Sequence, residues 1–413
     1  MIQRCLRVAA VCVLVGLSSP AWAQEPAGSG AAERGTFPLG PFRVKPFVRL
    51  NQIVFDTNVF YDTDKRQSDL SAGGGPGLRL SLPVRAVTIY GEGATDYTWF
   101  ARTESQRRFG GTAGGGFDWR AGAFELGASQ IYGRTFRRPS VEVDERIQED
   151  TVTTRAYLDL GLGVRFRVTP RFDANRRQVA LGTRYLGADL GRSLTQDTYR
   201  GELELSYGLT PKTRLLVIGD QQWDRFPQDE TRDSDSNRAG IGFSITSQTR
   251  LDGRAVGGVR QVRPRAASRG ASRKAPWAEA RLTWHLGAKT RISGDYRLDT
   301  YYSAFDTLQG LPTYLSHTAE LRLYRRLVGR IEIELFGRLR TVRSDAAVVI
   351  RRESEDVAIR RDDRFYETGA DLGYAFRNNL RIGVMASYAK RQTRFRDFGI
   401  DGLLMGLTIR YNP

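Results

Sequence analysis

The sequence predicts an all-β chain folded as a transmembrane, antiparallel, up-and-down β-barrel of about eighteen strands. Three observations predict it. Apolar and polar residues alternate with a period of two over segments of strand length. The connections between those segments alternate between short and long. A secretory leader opens the chain, and no later apolar stretch is long enough for a membrane helix.

The leader comes first. Arg4 and Arg7 form a basic n-region, Val8 to Leu17 an apolar h-region, and Ala21-Trp22-Ala23 a cleavage site before Gln24. The apolar run is about ten residues, roughly half of a spanning helix. Residues 1–23 therefore read as a cleaved signal peptide and not as an anchor. Cys12 lies inside the apolar run, away from any cleavage point, which argues against a lipoprotein. Both cysteines, Cys5 and Cys12, leave with the leader, so the mature chain is expected to have no disulfide, thiolate metal site or cysteine nucleophile. The expected destination is the outer membrane of a Gram-negative bacterium. Residues 24–41, rich in Ala, Gly and Pro, are expected as a short periplasmic tail, and 42–413 as the barrel.

Strands are expected at 42–55, 66–82, 84–99, 107–119, 121–134, 150–167, 171–187, 196–209 and 213–225. They continue at 235–248, 250–262, 273–286, 290–303, 313–326, 330–343, 362–376, 380–392 and 401–411. Leu203, Leu205 and Tyr207 alternate with Glu202, Glu204 and Ser206. Ile331, Ile333, Leu335 and Leu339 alternate with Glu332, Glu334, Arg338 and Arg340. One apolar face and one charged face mark a half-buried strand; a helix would mix these residues on one stripe and bury the charges. Charge interrupts the alternation around Arg171 to Tyr185 and Gly253 to Arg263, and without those two segments the count falls to about sixteen.

Short turns are expected at Leu82-Pro83, Trp119-Arg120, Thr169-Pro170, Thr210-Pro211-Lys212, Gly287-Ala288-Lys289, Leu327-Val328-Gly329 and Arg377-Asn378-Asn379. Longer polar segments, such as Arg137 to Asp150, Pro227 to Asn237 and Ser344 to Asp363, lie between them. Short periplasmic turns and long extracellular loops are the outer-membrane arrangement, and a soluble β-sandwich has no reason to keep it. Aromatic girdles are expected at both ends. Trp119, Tyr207, Trp284, Tyr374, Phe376 and Tyr411 fall on the short-turn side, and Trp99, Phe100, Trp223, Phe226, Tyr301 and Tyr302 on the long-loop side.

The last strand alternates Leu403, Met405, Leu407, Ile409 and Tyr411 with Leu404, Gly406, Thr408 and Arg410. It resembles the C-terminal signal read by the barrel-assembly machinery, with the usual final aromatic displaced by Asn412 and Pro413. Asp56-Thr57-Asn58-Val59-Phe60 resembles the Asp/Asn-Val-Phe motif of the putative β-barrel porin 2 group. Tyr207-Gly208-Leu209-Thr210-Pro211-Lys212-Thr213 resembles that group's tyrosine, Leu-Thr-Pro and Lys-Thr segment, and Thr283 to Thr290 is a looser copy. The likeness spans most of the expected mature chain. Members of the group include barrels encoded with exopolysaccharide export systems. The resemblance therefore implies translocation of exported exopolysaccharide across the outer membrane, with a periplasmic polysaccharide export protein as a candidate partner. The residues themselves leave open a general diffusion porin for small anionic solutes and a non-conducting structural or assembly barrel.

A barrel of this size is wide enough for an aqueous channel unless something plugs it, and no separate plug domain is evident. The formal charge of +17 falls to +15 once Arg4 and Arg7 leave. The wall itself is expected to be balanced. Lumen-lining candidates are Arg281, Arg291, Asp295, Arg297, Asp299, Glu332, Glu334, Arg338 and Arg340. A basic residue on the lipid face would cost about 2–4 kcal/mol at the midplane. Cross-strand ion ladders are expected to satisfy these charges.

The positive excess is expected between Gly253 and Trp277, a stretch with no acid, whose basic residues include Arg260, Arg263, Arg265, Arg269, Arg273 and Lys274. Its centre is expected to be an extracellular loop. It could hold lipopolysaccharide phosphates beside the outer-membrane lipid, fold inward to meet an anionic solute or polymer, or be simply solvated. Two acidic stretches, Asp229, Glu230, Asp233 and Asp235, and Glu142, Asp144, Glu145, Glu149 and Asp150, are expected as hydrated loops, with divalent cations as the alternative.

No catalytic set, metal site, cofactor or nucleic-acid partner is predicted. The two histidines, His285 and His317, fall on separate strands facing opposite ways, which leaves no Ser-His-acid arrangement. The same-face pairs Glu202/Glu204 and Glu332/Glu334 have basic neighbours that favour simple ionisation, unlike the divergent carboxylates of a glycosidase. No stacking platform for bases is evident. Gly73-Gly74-Gly75 and Gly114-Gly115-Gly116 precede no helix, so they read as sites of curvature or close backbone approach.

Overall fold

A strand that is apolar on one face still carries two rows of unpaired backbone groups at its edges. In lipid the sheet satisfies both rows only by closing on itself. A computed structural model describes residues 36–411 apart from 51–52, 63–64, 247–249, 308–309, 345, 353–354, 378–379 and 394–398. The expected signal peptide, most of the expected tail and the Asn378-Asn379 turn lie outside the described residues.

Eighteen strands form one closed antiparallel barrel. They are β1 (Phe42–Leu50 and Ile53–Asp56), β2 (Asp69–Val84), β3 (Val87–Phe100), β4 (Arg108–Ala121), β5 (Phe124–Arg137), β6 (Ile147–Leu162), β7 (Phe166–Val179), β8 (Gln196–Gly208) and β9 (Thr213–Arg225). The ring continues through β10 (Ser234–Ile245), β11 (Leu251–Pro264), β12 (Arg273–His285), β13 (Thr290–Tyr302), β14 (Thr313–Arg326), β15 (Ile331–Ser344), β16 (Asp362–Arg377), β17 (Leu380–Gln392) and β18 (Ile400–Tyr411). Strands adjacent in this order pair with one another, and the seam closes where Leu404 of β18 meets Asp56 and Leu407 meets Ile53 of β1.

The stretch expected as a plain tail contributes one piece of structure. Phe37–Leu39 forms a short strand in which Phe37 faces Val44 of β1. Since β2 holds the other edge of β1, this segment extends the seam edge that β18 pairs farther along. It covers backbone groups that would otherwise form an open edge.

Three expected turns shift. Strands β2 and β4 run past Leu82-Pro83 and Trp119-Arg120 to Val84 and Ala121. Thr169-Pro170 lies inside β7, and the chain reverses at residues 163–165, with Gly163 at φ +73°. The segment expected at 171–187 thus begins earlier and ends at Val179. Proline does not break β7 because its missing N–H falls at a gap in the β6–β7 ladder between Tyr157↔Arg171 and Leu160↔Val168. On the other edge Pro170 stays in register with Leu203.

On one parity of the strands large apolar side chains are exposed, among them Leu203, Val217, Leu335, Val384 and Met405. The other parity carries ion pairs, some of which skip strands: Arg254 of β11 reaches Glu204 of β8 at 2.6 Å, and Arg238 of β10 reaches Asp299 of β13 at 3.4 Å. Side chains of non-neighbouring strands converge only on the concave side of a curved sheet. The charged parity therefore faces the lumen and the apolar parity faces lipid.

The packed core sits at the long-loop mouth. Val143, Ile147, Val179, Leu190, Leu194, Ala304, Phe305, Val348, Ile350 and Ile359 form one buried apolar cluster. Ile147 and Val179 are the loop-side ends of β6 and β7, and the others come from the connections after β5, β7, β13 and β15, which start from nearly opposite sides of the ring. Helix α1 (Leu190–Leu194) is capped by the Asp189 carboxylate, which accepts from the Arg192 backbone N–H at 3.1 Å. A small sheet of Asp306–Thr307, Val348–Arg352 and Glu355–Ile359 completes the cluster, and the Arg351 backbone N–H donates to the Leu186 carbonyl.

Candidate channel lumen

The wall is built from arginine, whose long stem and five donors reach carboxylates on neighbouring strands. Across β7–β11, Arg171 bonds Glu202 at 2.8 Å and Glu204 at 3.0 Å, and Glu204 also receives Arg254. Arg200 joins Glu202 to Asp220, and Asp220 receives Arg238 at 2.7 Å. Across β14–β17, Arg338 bonds Glu320 at 2.7 Å and Glu367 at 2.8 Å, while Arg381 joins Glu332 to Asp371. The alternation of sign leaves little net charge on these parts of the wall.

The nine residues expected to line the lumen all fall on the inward parity, spread along β12–β15. Arg281 bonds Asp295 at 2.7 Å. Asp299 receives Arg260 at 3.0 Å as well as Arg238. Glu332 meets Arg326 and Arg381, Glu334 lies 3.7 Å from Arg322, and Arg338 is in the network above. The remaining three have other partners. Arg291 lies over the Tyr324 ring at 5.2 Å, Arg297 lies beside the Tyr301 side chain, and Arg340 donates to the Thr318 hydroxyl at 3.2 Å.

The basic segment does not act as one unit. Arg260 belongs to β11 and is buried in the wall, bonded to Asp299 and to the Ser236 hydroxyl, so it is not a loop residue. Arg263 lies next to the end of β11, Arg273 and Lys274 begin β12, and all three are exposed. In the true loop, 265–272, Arg265 is exposed and Arg269 turns sideways to bond Asp306 at 2.8 Å and Thr231 at 3.0 Å. The spacing of these residues along the chain concealed that the strand pairing carries them to different places.

The acidic stretches are not simply hydrated. Glu142 and Glu149 are fully buried, Glu149 held by Arg137 and Arg177, and Asp144 by Arg391. Asp150 pairs with Arg134, Asp229 with Arg192 and Asp235 with Arg225, while Glu145 is exposed. Among the described residues no three such groups converge as metal ligands. Glu142 is the centre of the mouth. It accepts from the Ser303 hydroxyl at 3.0 Å and the Ala304 N–H at 2.8 Å, with Arg361 at 3.8 Å. Burial pushes its carboxyl above the usual range, against the pull of Arg361. Burial likewise lowers Arg232 to about 10, so it stays charged at neutral pH where it donates to the Ser303 carbonyl.

The girdle residues divide. Tyr207, Trp284, Tyr374 and Phe376 are exposed at the short-turn end, and Trp99 and Trp223 at the long-loop end. Phe100 and Phe226 are instead buried, with the Phe226 ring 5.1 Å from Tyr302, because the inward-folded loops offer them a drier site. Sequence reasoning also missed an inward apolar group of Leu216, Ile218, Val256 and Trp277. Its signal was Gly240: a Cβ there would meet the Trp277 ring at 2.6 Å, so only glycine lets the indole lie across β10. The two histidines lie on opposite faces of the wall, His285 beside Asp252 at 3.0 Å and His317 beside the Tyr296 hydroxyl at 3.2 Å.

A family model described as putative beta-barrel porin 2 matches residues 35–412. No curated protein matches the sequence. Among solved structures, the copper transporter OprC aligns with a TM-score of 0.50 at 12% identity, over 88% of this chain and 64% of that one. Pseudomonas aeruginosa OpdK with vanillate gives a TM-score of 0.47 at 11% identity, over 89% of this chain and 98% of that one. The siderophore receptor PirA from Acinetobacter baumannii gives 0.42 at 10% identity, over 88% and 80%. The chain thus spans less than two thirds of OprC but nearly all of OpdK.

Proposed function

The chain belongs to the putative β-barrel porin 2 family, and from that premise we propose that it is a noncatalytic outer-membrane channel carrying exported exopolysaccharide, with its long-loop mouth acting as a gate. The observation that carries this reading is the pairing of charge on the inner wall. Arg171, Arg200, Arg238, Arg338 and Arg381 are taken up by carboxylates. Such a surface is polar and rich in hydrogen-bonding edges but nearly neutral, which suits a hydroxylated polymer better than it selects small anions. The resemblance to barrels encoded with export systems points the same way. On this reading a periplasmic polysaccharide export protein delivers the polymer at the short-turn end.

A small-anion porin is the second reading. Arg291, Arg297 and Arg340 favour it, since their partners on the inner wall are uncharged. Purified full-length protein in planar bilayers should show gated conductance with weak ion preference. Deletion in the host should remove surface polymer while its precursor accumulates. Strong, stable anion selectivity with surface polymer unaffected would favour the second reading, and bilayers that stay closed even after the mouth is loosened would point to a non-conducting barrel.

A further inference from the structure

On the outward face of the long-loop end, several arginines are neutralised within the protein. Arg134 bonds Asp150 at 2.7 Å, Arg176 bonds Asp197 at 2.9 Å, and Arg225 bonds Asp235 at 2.7 Å. The pattern breaks at Arg263 and Lys274, exposed on the outward parity of β11–β12 with no ion pair among the described residues, and again on β15–β17, where a groove adjoins the cations. Arg343, Arg364 and Lys390 share the outward parity with Leu339, Tyr366 and Tyr388, all three cations are exposed, and none forms an ion pair among the described residues. The acids nearest in register are Asp362, opposite Arg343, and Asp401, opposite Lys390; Asp401 is already bound by Arg66 at 3.3 Å. The patch therefore keeps an excess of positive charge at the level where strands leave the bilayer.

Toward the midplane from these cations the lipid face is concave. Leu321, Gly337, Leu339, Tyr366, Thr368 and Tyr388 surround a groove of about 660 Å³. Its floor is Gly337, where an added Cβ would meet nothing within 4 Å. The register sets the groove directly below the cations, with Thr341 opposite Arg364 and Gly337 opposite Thr368.

We propose that this is a binding site for a phosphorylated, multiply acylated glycolipid of the outer leaflet, the lipid A part of lipopolysaccharide. Phosphate oxygens meet Arg343, Arg364 and Lys390, and one acyl chain lies in the groove over Gly337. Guanidinium forks suit phosphate, and basic residues at the membrane surface attract anionic lipid. The three cations stand on three successive strands about 4.8 Å apart, wider than a single phosphate covers. That width favours a headgroup with more than one phosphate over an ordinary anionic phospholipid.

The test uses the full-length barrel, purified in mild detergent, and native mass spectrometry with added lipid A or phosphatidylglycerol. Lipid A adducts should form in preference. R343Q/R364Q/K390Q should weaken lipid A binding by about a hundredfold. Gly337→Leu, which leaves every cation in place, should weaken it as well, and R176Q, at an ion-paired outward arginine, should not. Heat-modifiable migration on gels checks that each variant folds. Equal affinity for phosphatidylglycerol, or unchanged lipid A binding in both the triple variant and Gly337→Leu, would overturn the proposal. A lipid-free dimer that Gly337→Leu disrupts would also overturn it, by assigning the groove to a second copy of the chain.

Discussion

Glu142 shows how much one side chain can carry at the mouth. It is fully buried and is satisfied from two directions, by Ser303 and Ala304 on one connection and Arg361 on another. Its carboxyl is raised by burial first; Arg361 opposes that shift and Asp363 adds to it. A carboxyl raised in the packed state binds more protons there than in the open state. Its contribution therefore favours packing at low pH and is lost as pH rises through the raised value. Acidification from about pH 7 toward the ordinary glutamate range near 4.3 should lower open probability in bilayers, and Glu142→Gln should flatten that response. Opening on acidification that vanishes in Glu142→Gln would show the sign to be wrong. Arg361 is the complementary case. Arg361→Ala leaves Glu142 and Asp363 buried without their shared cation, a loss of about 3–5 kcal/mol for a buried pair. Limited proteolysis should then cut the connection after β15 readily, while the barrel still migrates as folded.

At the scale of elements, strands and loops are stabilised by different means. The strands are held by ladder hydrogen bonds to both neighbours around the ring. The mouth is held by apolar packing between connections, with Val348, Ile350 and Ile359 entering the cluster from one side and Val143, Leu190 and Phe305 from the others. V348A/I350A/I359A removes buried methyl groups worth about 2–5 kcal/mol for each isoleucine truncated. Conductance should rise and the loops should exchange amide hydrogens faster, with strand protection unchanged. Equal loss of protection in loops and strands would mean that the mouth and the ring unfold as one unit.

At the scale of the whole molecule, the formal charge of +17 is a poor guide to selectivity. Much of the inner wall is neutralised in place, and Arg263, Arg265, Arg273 and Lys274 lie exposed at the long-loop end. Arg269 is committed to Asp306 on a neighbouring connection. R263Q/R265Q/R269Q/R273Q should leave reversal potentials in a salt gradient unchanged. A clear shift toward cations in that variant would place the segment in the conduction path. R297Q/R340Q should instead reduce any residual anion preference, because both side chains lie on the inward parity with no ion pair to a carboxylate among the described residues.

The barrel was legible in the sequence because its determinants are local. Leu203 and Leu205 against Glu202 and Glu204, or Leu335 and Leu339 against Glu334 and Arg338, declare a lipid side and a lumen side within a few residues. A slip of one residue would reverse every side chain, so register follows from the same pattern. Thr169-Pro170 misled because proline reports a missing donor, and a ladder can tolerate that where the neighbouring pairing is interrupted. The mouth was not legible. Glu142 and Arg361 are far apart in sequence, as are Phe226 and Tyr302, and each looks like a polar or girdle residue until the ring brings its partner within reach. The sequence by itself determined the strand periodicity, the two faces and the closed antiparallel ring, since those rest on alternation and on the cost of unpaired backbone in lipid. Only the tertiary structure decided which charges cancel and that the loops fold over the opening, because those outcomes depend on contacts between residues that adjoin only once the barrel has closed.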